Sequence, residues 1–536
     1  MVFSEKENSN LKDESNNTGF QVDLENSASL DQKAQVHNGD SIQSDDSSSE
    51  TPPIKTLKIE RSLRQFELWL GRKFNIETRG IERVEEEDKE PPPLRNTFLM
   101  WWSMFCNPGG LPIGILGAQW GLSLQEAVIG TVFGTIIGAI LVAWCGVMGS
   151  KLGLRSMATC RYSFGYHGAK LISILNLLLG IGYAVISTTV CGQLLPAAAD
   201  YRISTSVGIY IVSALSLFIS FFGFSLIHKF ESYSWILAFV LFCVLLGQTV
   251  PYMTPEMVQF NPHRPGFAAT FLSYLSFTAA GTSGWATAIG DYYCHYPKTV
   301  RPWKIMVLTI AGFSASSAFV SIVGTCVGLV ALQSPEPRLQ QAYALHGLGG
   351  IVQEISHPAG WAKFLVVMML FTVLGGLIAN YYSAGLSIQI LGQHFRYIPR
   401  FIWSFVIAVL ITVLSLLGKD HIVELIGNLG NMLGYLTAGY SVIVFMEDQW
   451  FRRRDGYDLK AWNNKHKLPW GLAAVGSVIV SYGAGAVPGM NTTWYIGPIA
   501  ALFGNPAGDV GLILNTVFTA VTYFIFRTIE KHFVGR

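Results

Sequence analysis

Long apolar stretches recur along this chain, each close to the roughly 20 residues that an α-helix needs to cross about 30 Å of hydrocarbon. They run near residues 97–119, 124–147, 167–195, 206–226, 233–252, 267–290, 304–332, 362–390, 402–418, 421–446, 469–488 and 507–527. This pattern predicts an all-α integral membrane protein with about 12 transmembrane helices, numbered here as spans 1 to 12. Composition agrees. Only 13% of the 536 residues are charged and 50% are hydrophobic, whereas soluble domains carry about 25% charged residues. The net charge of +2 and the lack of a basic patch interleaved with aromatics exclude a nucleic-acid partner. The seven cysteines are scattered singly with no C-x-x-C pair, which argues against a disulfide framework or a metal site.

Residues 1–54 are rich in Ser, Asn, Asp and Glu and are expected to be a disordered acidic tail. Ser47, Ser48, Ser49, Lys6, Lys12 and Lys33 make this tail the segment on which kinase or ubiquitin machinery would act. A plain solvated tail is the equal alternative. Residues 55–96 read as a basic amphipathic juxtamembrane segment, with Leu63, Phe66, Leu68 and Leu70 beside Arg64, Arg72 and Lys73. Residues 97–527 form the transmembrane domain, and 528–536 a short tail. The lack of an apolar leader makes span 1 the expected internal signal.

Loop charge orients these spans. Loops after even-numbered spans carry Lys151, Arg155, Arg161, Lys170, Lys298, Arg301 and the run Arg452, Arg453, Arg454. Loops after odd-numbered spans carry only Arg202, Arg264, Arg338 and Lys419, with Lys363 at a span edge. The positive-inside rule then places both termini in the cytoplasm. The sequon at Asn491 falls in an external loop, too near the membrane for its use to be assumed.

A helix breaker within hydrocarbon needs a reason, because every freed backbone group must find a partner. Span 1 is interrupted by Asn107-Pro108-Gly109-Gly110, and span 6 by Gly281-Thr282-Ser283-Gly284. Paired interruptions five spans apart point to an inverted-repeat transporter with its site at mid-membrane. Trp285, just after the second break, is placed to stack on a planar ligand or to pack. Asn380 in span 8 can donate and accept, which suits a neutral heterocycle. An interhelical hydrogen bond is its alternative role. On span 3, Tyr183 and Ser187 share a face, and Gln193 follows further on. Asp291 and Glu424 are the nearest ionisable groups, both toward span ends. No nucleotide-binding loop or catalytic constellation is present, so neither an enzyme nor an ATP-driven pump is expected.

The chain resembles the fungal purine–cytosine permeases of nucleobase–cation symporter family 1. The resemblance rests on GLRSMATCRYSFGYHGAKL after span 2, GWATAIGDYY in span 6, YSAGLSIQ in span 8, and WYIGPIAALFGNPAGDVG with the closing FVGR. It implies a leucine-transporter-type fold of two inverted five-helix repeats followed by two further helices. It also implies uptake of a small-molecule solute at the plasma membrane, with a proton gradient as the coupling ion and no cofactor. Family binding positions correspond to Trp285, Asn380 and Ser103. The family's Asn-Asn-x-Pro-Asn is Gly376-Leu377-Ile378-Ala379-Asn380 here, and Tyr183 and Ser187 replace a tryptophan and an asparagine. Lost amides remove donors that would read a nucleobase edge, which leaves pyridoxine as an alternative cargo. A non-transporting nutrient sensor signalling through the tail is the alternative of another class.

Overall fold

The structure, a computed structural model, describes residues 81–535 apart from 90, 92, 222–223, 393–394, 396–397 and 399. The tail assigned to 1–54 and most of the amphipathic segment assigned to 55–96 lie outside these residues, as does the Glu424 side chain.

Helix ends follow local chemistry. Span 2 (Leu124–Leu152) opens on a capping box in which Ser123 accepts from the Glu126 amide and Glu126 accepts from that of Ser123. It closes at Gly153, whose φ of 66° is left-handed. Span 3 (Arg161–Ala198) is kinked near its start at Gly165, whose φ is 68°, whereas spans 7 (Pro302–Gln333) and 8 (Ala359–Leu391) are long and continuous. Spans 4 (Thr205–Phe221) and 9 (Arg400–Gly418) are shorter. Span 5 is Phe224–Thr249, span 10 is Ile422–Met446, span 11 is Leu472–Gly489 and span 12 is Gly511–Val534. Two spans are split. Span 1 comprises Leu94–Phe105 and Leu111–Gln119; span 6 comprises Phe267–Ser283 and the short Gly290–Tyr293. Among the described residues a helix or split helix lies at each of the twelve expected spans, and eight helices are long and apolar enough to cross a membrane.

Packing shows the internal repeat. Span 1 lies on spans 5 and 7, and span 6 lies on spans 10 and 2. Span 3 lies on spans 4 and 9, and span 8 lies on spans 9 and 4. The contact of span 5 with span 8 is matched by that of span 10 with span 3. Each of these pairings recurs five spans later. Because five is odd, the second copy is inverted. Spans 11 and 12 pack on each other and on span 10, outside the repeat.

Three expectations change. The last span starts at Gly511, not 507, and continues to Val534. Most of the residues expected as a 528–536 tail are thus helical. The reason is burial, since Arg527 and Glu530 on this extension face into the protein. Second, a helix that the sequence reading passed over, Pro337–Ile355, lies between spans 7 and 8. It kinks at Gly347, whose φ is 58°, burying Leu339 before the kink and Leu348, Ile351, Val352 and Ile355 after it. Third, Gly281 sits inside the helical part of span 6, and the break begins at Gly284.

Close approach of spans 1 and 7 depends on two glycines. A Cβ on Gly114 would overlap the Ser321 carbonyl, and one on Gly324 would overlap the Leu111 carbonyl. We expect Gly324→Ala to lower stability by about 1–3 kcal/mol, the usual cost of overpacking. Gly247→Ala in span 5 meets nothing within 4 Å and should leave stability unchanged or slightly raised. Thermal unfolding of the purified proteins in detergent checks both.

Candidate solute site at the two helix breaks

The break in span 1 is closed by its own asparagine. Pro108 lacks an amide hydrogen and disfavours a helical conformation in the residue before it. Asn107 is accordingly extended, with φ −144° and ψ 161°. Its side chain then serves both freed backbone groups. Nδ2 donates to the Met104 carbonyl at 2.6 Å, and Oδ1 accepts from the Gly109 amide at 2.8 Å. The break in span 6 is gentler. Gly284–Thr287 tighten into a 3₁₀ turn, and the Trp285 carbonyl accepts from the amides of Ala288 and Ile289.

Accessibility identifies what these breaks face. Span 8 is buried from Thr372 to Ile390 except at Gly376 and Asn380. Span 3 is buried from Ile181 to Gly192 except at Tyr183 and Ser187, and Gly180 just before is also half-buried. Span 6 keeps access only at Gly281 and Trp285 between Ala279 and Cys294. At the break in span 1, from Phe105 to Gly110, the half-buried positions are Phe105, Asn107, Gly109 and Gly110, while Cys106 and Pro108 are buried. On spans 3 and 8 these residues recur at helical spacing, so each set lies on one face.

Contacts join the four faces. The Tyr183 hydroxyl donates to the Gly281 carbonyl at 2.9 Å. A Cβ on Gly109 would touch the Ser187 hydroxyl, and one on Gly376 would lie 3.7 Å from Asn107 Nδ2. Asn380 donates to the Gly376 carbonyl at 3.0 Å, and its Oδ1 faces the bare Gly180. The Trp285 ring meets Phe105 edge-on at 5.3 Å between centroids. Phe313 packs on Phe105 at 4.4 Å and on Trp101 at 4.7 Å. Trp101 is held by a 3.0 Å hydrogen bond from its Nε1 to the Tyr293 hydroxyl.

Trp285, Asn380, Tyr183, Ser187 and the breaks at Asn107–Gly110 and Gly284 therefore converge. Gly281 joins them through its carbonyl, not as the break itself. Ser103 does not join them; it is buried with its hydroxyl 2.7 Å from Ser234 in span 5. Gln193 lies further along span 3, in a cavity of about 290 Å³ lined also by Pro112, Val190, Gln119, Tyr343 and Ile426.

Asn176 was missed by the sequence reading. It is buried on the same face of span 3 and donates to Ser387 at 2.7 Å and Ser383 at 3.2 Å. Its Oδ1 accepts from Thr287 at 2.6 Å. It thereby ties spans 3, 6 and 8 together just beyond the span 6 break. The available signal was an amide one turn before Gly180 on a span otherwise read for Tyr183. No aspartate, glutamate, lysine or arginine borders the site among the described residues. Asp291 instead accepts from the Ser156 amide at 2.8 Å and secures the loop after span 2.

An uncharged, aromatic-walled site between two interrupted helices of an inverted repeat defines a leucine-transporter-type solute carrier. The chain belongs to the family of permeases for cytosine/purines, uracil, thiamine and allantoin, whose model matches residues 84–497. It is 29% identical to the purine-cytosine permease FCY2 of Saccharomyces cerevisiae over 86% of this chain and 88% of that protein. It is 28% identical to the vitamin B6 transporter TPN1 of the same yeast over 87% of this chain and 90% of that one. The fold matches Mhp1, a nucleobase-cation-symport-1 family transporter solved with bromovinylhydantoin bound. That match has a TM-score of 0.63 at 13% identity, over 84% of this chain and 95% of Mhp1.

Replacing Asn176 with leucine removes three buried hydrogen bonds. The expected cost is about 1–3 kcal/mol for polar groups left unpaired, read as a lower unfolding temperature in detergent. Ser103→Ala, on the other side of span 1, should leave solute affinity unchanged.

Proposed function

We propose that this permease carries a planar nitrogen heterocycle of the cytosine or purine type into the cell, in symport with protons, across the plasma membrane. One observation carries the reading. Trp285 keeps an exposed portion at the junction of both breaks, beside a wall of Phe105, Phe313 and Trp101. A flat ring stacks there, as bases stack on aromatic side chains. Asn380 Oδ1 beside Gly180 accepts from a ring N–H or amino group, and Ser187 and the Asn107 amide border the opposite edge. The uncharged lining favours a neutral solute, since a charge placed there would lose its hydration without compensation. The solute passes unchanged, so the protein acts as a carrier and not as an enzyme. The coupling ion is a proton and no cofactor takes part. Both termini face the cytoplasm, where the acidic tail is open to kinases and ubiquitin ligases.

Pyridoxine uptake is the second reading. It is favoured by Gly376–Asn380, where a single asparagine stands at the edge of the site, and by the near-equal similarity to TPN1. One ring edge with few amide donors suits a hydroxylated pyridine as well as a nucleobase.

Uptake of labelled cytosine, hypoxanthine and pyridoxine by cells lacking their own carriers separates these readings. Saturable cytosine or hypoxanthine uptake that collapses with a protonophore is expected. Uptake of pyridoxine alone would select the second reading. Uptake of none, with deletion of residues 1–54 altering a growth response, would select a sensor. Trp285→Ala should raise the apparent KM about tenfold or more, since stacking is worth about 1–3 kcal/mol per base. Trp285→Phe should keep part of the affinity.

A further inference from the structure

An acid buried outside the candidate solute site has no role in the carrier described so far. Asp509 lies in the extended segment ahead of span 12, on the face opposite the basic loops. It is 1% exposed. Its main chain is fastened to span 6, with its amide donating to Ser273 Oγ at 2.8 Å and its carbonyl accepting from Ser276 at 3.0 Å. Its carboxylate accepts from the Tyr435 hydroxyl of span 10 at 2.6 Å and from the amides of Asn491 and Gly511 at 3.0 Å each. Asn431 Nδ2, also on span 10, approaches at 3.4 Å.

No salt bridge forms at Asp509 among the described residues. The titratable group facing it from span 10 is Tyr435, with Tyr482 of span 11 behind that ring. Span 6, span 12 and the Asn491 segment present hydroxyls and backbone amides. Burial pushes the carboxyl up to about 6, against the pull of its donors. A second feature points to a missing hydrogen. Asn431 Oδ1 is buried and has no hydrogen-bond partner. An acceptor stranded beside a carboxylate is unusual, because buried polar atoms are nearly always paired.

We propose that Asp509 and Asn431 form a proton-binding site at the junction of spans 6, 10 and 12, and that its occupancy governs how span 10 grips the break in span 6. This rests on the proton-coupled reading above. A proton from the adjacent aqueous face adds to a carboxylate oxygen of Asp509. The Asn431 amide turns about its last bond, and the new O–H donates to Oδ1. On deprotonation the amide turns back and Nδ2 again donates. Loss of the negative charge weakens the bond from Tyr435, since charge-assisted hydrogen bonds are about twice as strong as neutral ones.

Tyr435 is well placed to pass that change on. Its neighbour Gly434 lies so close to Ala280 of span 6 that a Cβ would overlap the Ala280 backbone. The Gly434 carbonyl accepts from Ser283 at 3.2 Å, and Ser283 also pairs with Thr437 at 3.2 Å. Ser283 is the last helical residue before Gly284 and Trp285. The acid is thus connected through one tyrosine and one backbone contact to the break that carries the stacking ring.

Infrared difference spectra of the full-length protein in lipid vesicles, between pH 8 and 5, test the site without any solute. The wild type should gain a carboxylic-acid carbonyl band with a midpoint near 6 that is missing from Asp509→Asn. Tyr435→Phe removes a donor to the charged form and should move the midpoint up by about one pH unit. A spectrum unchanged by Asp509→Asn, or a midpoint unmoved in Tyr435→Phe, overturns the site. In cells, the wild type should take up labelled cytosine faster at pH 5 than at pH 7, and Asp509→Asn should lose that stimulation. Stimulation retained by the variant overturns the coupling role. Wild-type cells that take up no cytosine, hypoxanthine or pyridoxine overturn the carrier reading instead, while the spectra still decide the proton site.

Discussion

Hydrocarbon offers no hydrogen bonds, so each backbone group freed in a membrane must find a partner within the protein. The architecture of this permease depends on how that constraint is met at two points. In span 1 the Asn107 side chain fills the gap left by Pro108, donating to one freed carbonyl and accepting from one freed amide. In span 6 the chain tightens instead of opening, and Ser283 and Tyr183 attach its carbonyl-rich end to spans 10 and 3. With both breaks satisfied, their remaining polarity and their lack of side chains face a shared interior space. The candidate solute site is the consequence.

Span 3 is the element on which the two repeats meet. Asn176, Gly180, Tyr183 and Ser187 follow one another along one face at helical spacing. The first joins spans 6 and 8, the second leaves room beside Asn380, the third holds the span 6 break and the fourth touches the span 1 break. A substitution at Tyr183 therefore changes both the shape of the site and the support of a break. The Tyr183 ring carries the hydroxyl that the Gly281 carbonyl uses.

The pair of spans outside the repeat is fastened at both ends by buried acids of opposite character. On the basic face, Glu447 at the end of span 10 is fully paired. Arg527 of span 12 reaches it through Nε at 3.0 Å and Nη2 at 2.8 Å, Tyr523 donates at 2.7 Å, and Arg452 adds a further bond at 2.7 Å. Two cations meet one carboxylate in a fork geometry suited to arginine. On the opposite face, Asp509 has donors but no cation. An acid paired with arginine holds its charge, whereas an acid held only by neutral donors is free to exchange a proton. The first junction is a fixed anchor and the second is the responsive one.

Much of this protein was legible in its residues. The length and number of the apolar runs required a helical membrane protein, because only about twenty apolar residues in a helix match the hydrocarbon thickness. Asn107-Pro108-Gly109-Gly110 announced a break, since proline and paired glycines cannot continue a helix without help. Trp285, Tyr183, Ser187 and Asn380 stand out in the sequence because aromatic, hydroxyl and amide side chains are conspicuous among aliphatic neighbours. Other features were decided by tertiary structure. Ser103 points to span 5 and Gln193 lines a cavity further along span 3, because rotation about a helix axis is set by packing partners that no local pattern records. Asn176 and Asp509 were overlooked for the same reason. Their importance lies in partners more than a hundred residues away for Asn176 with Thr287, and on span 10 for Asp509. What the sequence by itself determined was which segments cross the membrane and where two of them break. Which polar side chains face one another across those breaks emerged only when the helices packed, because hydrogen-bond partnership depends on three-dimensional register and not on spacing along one chain.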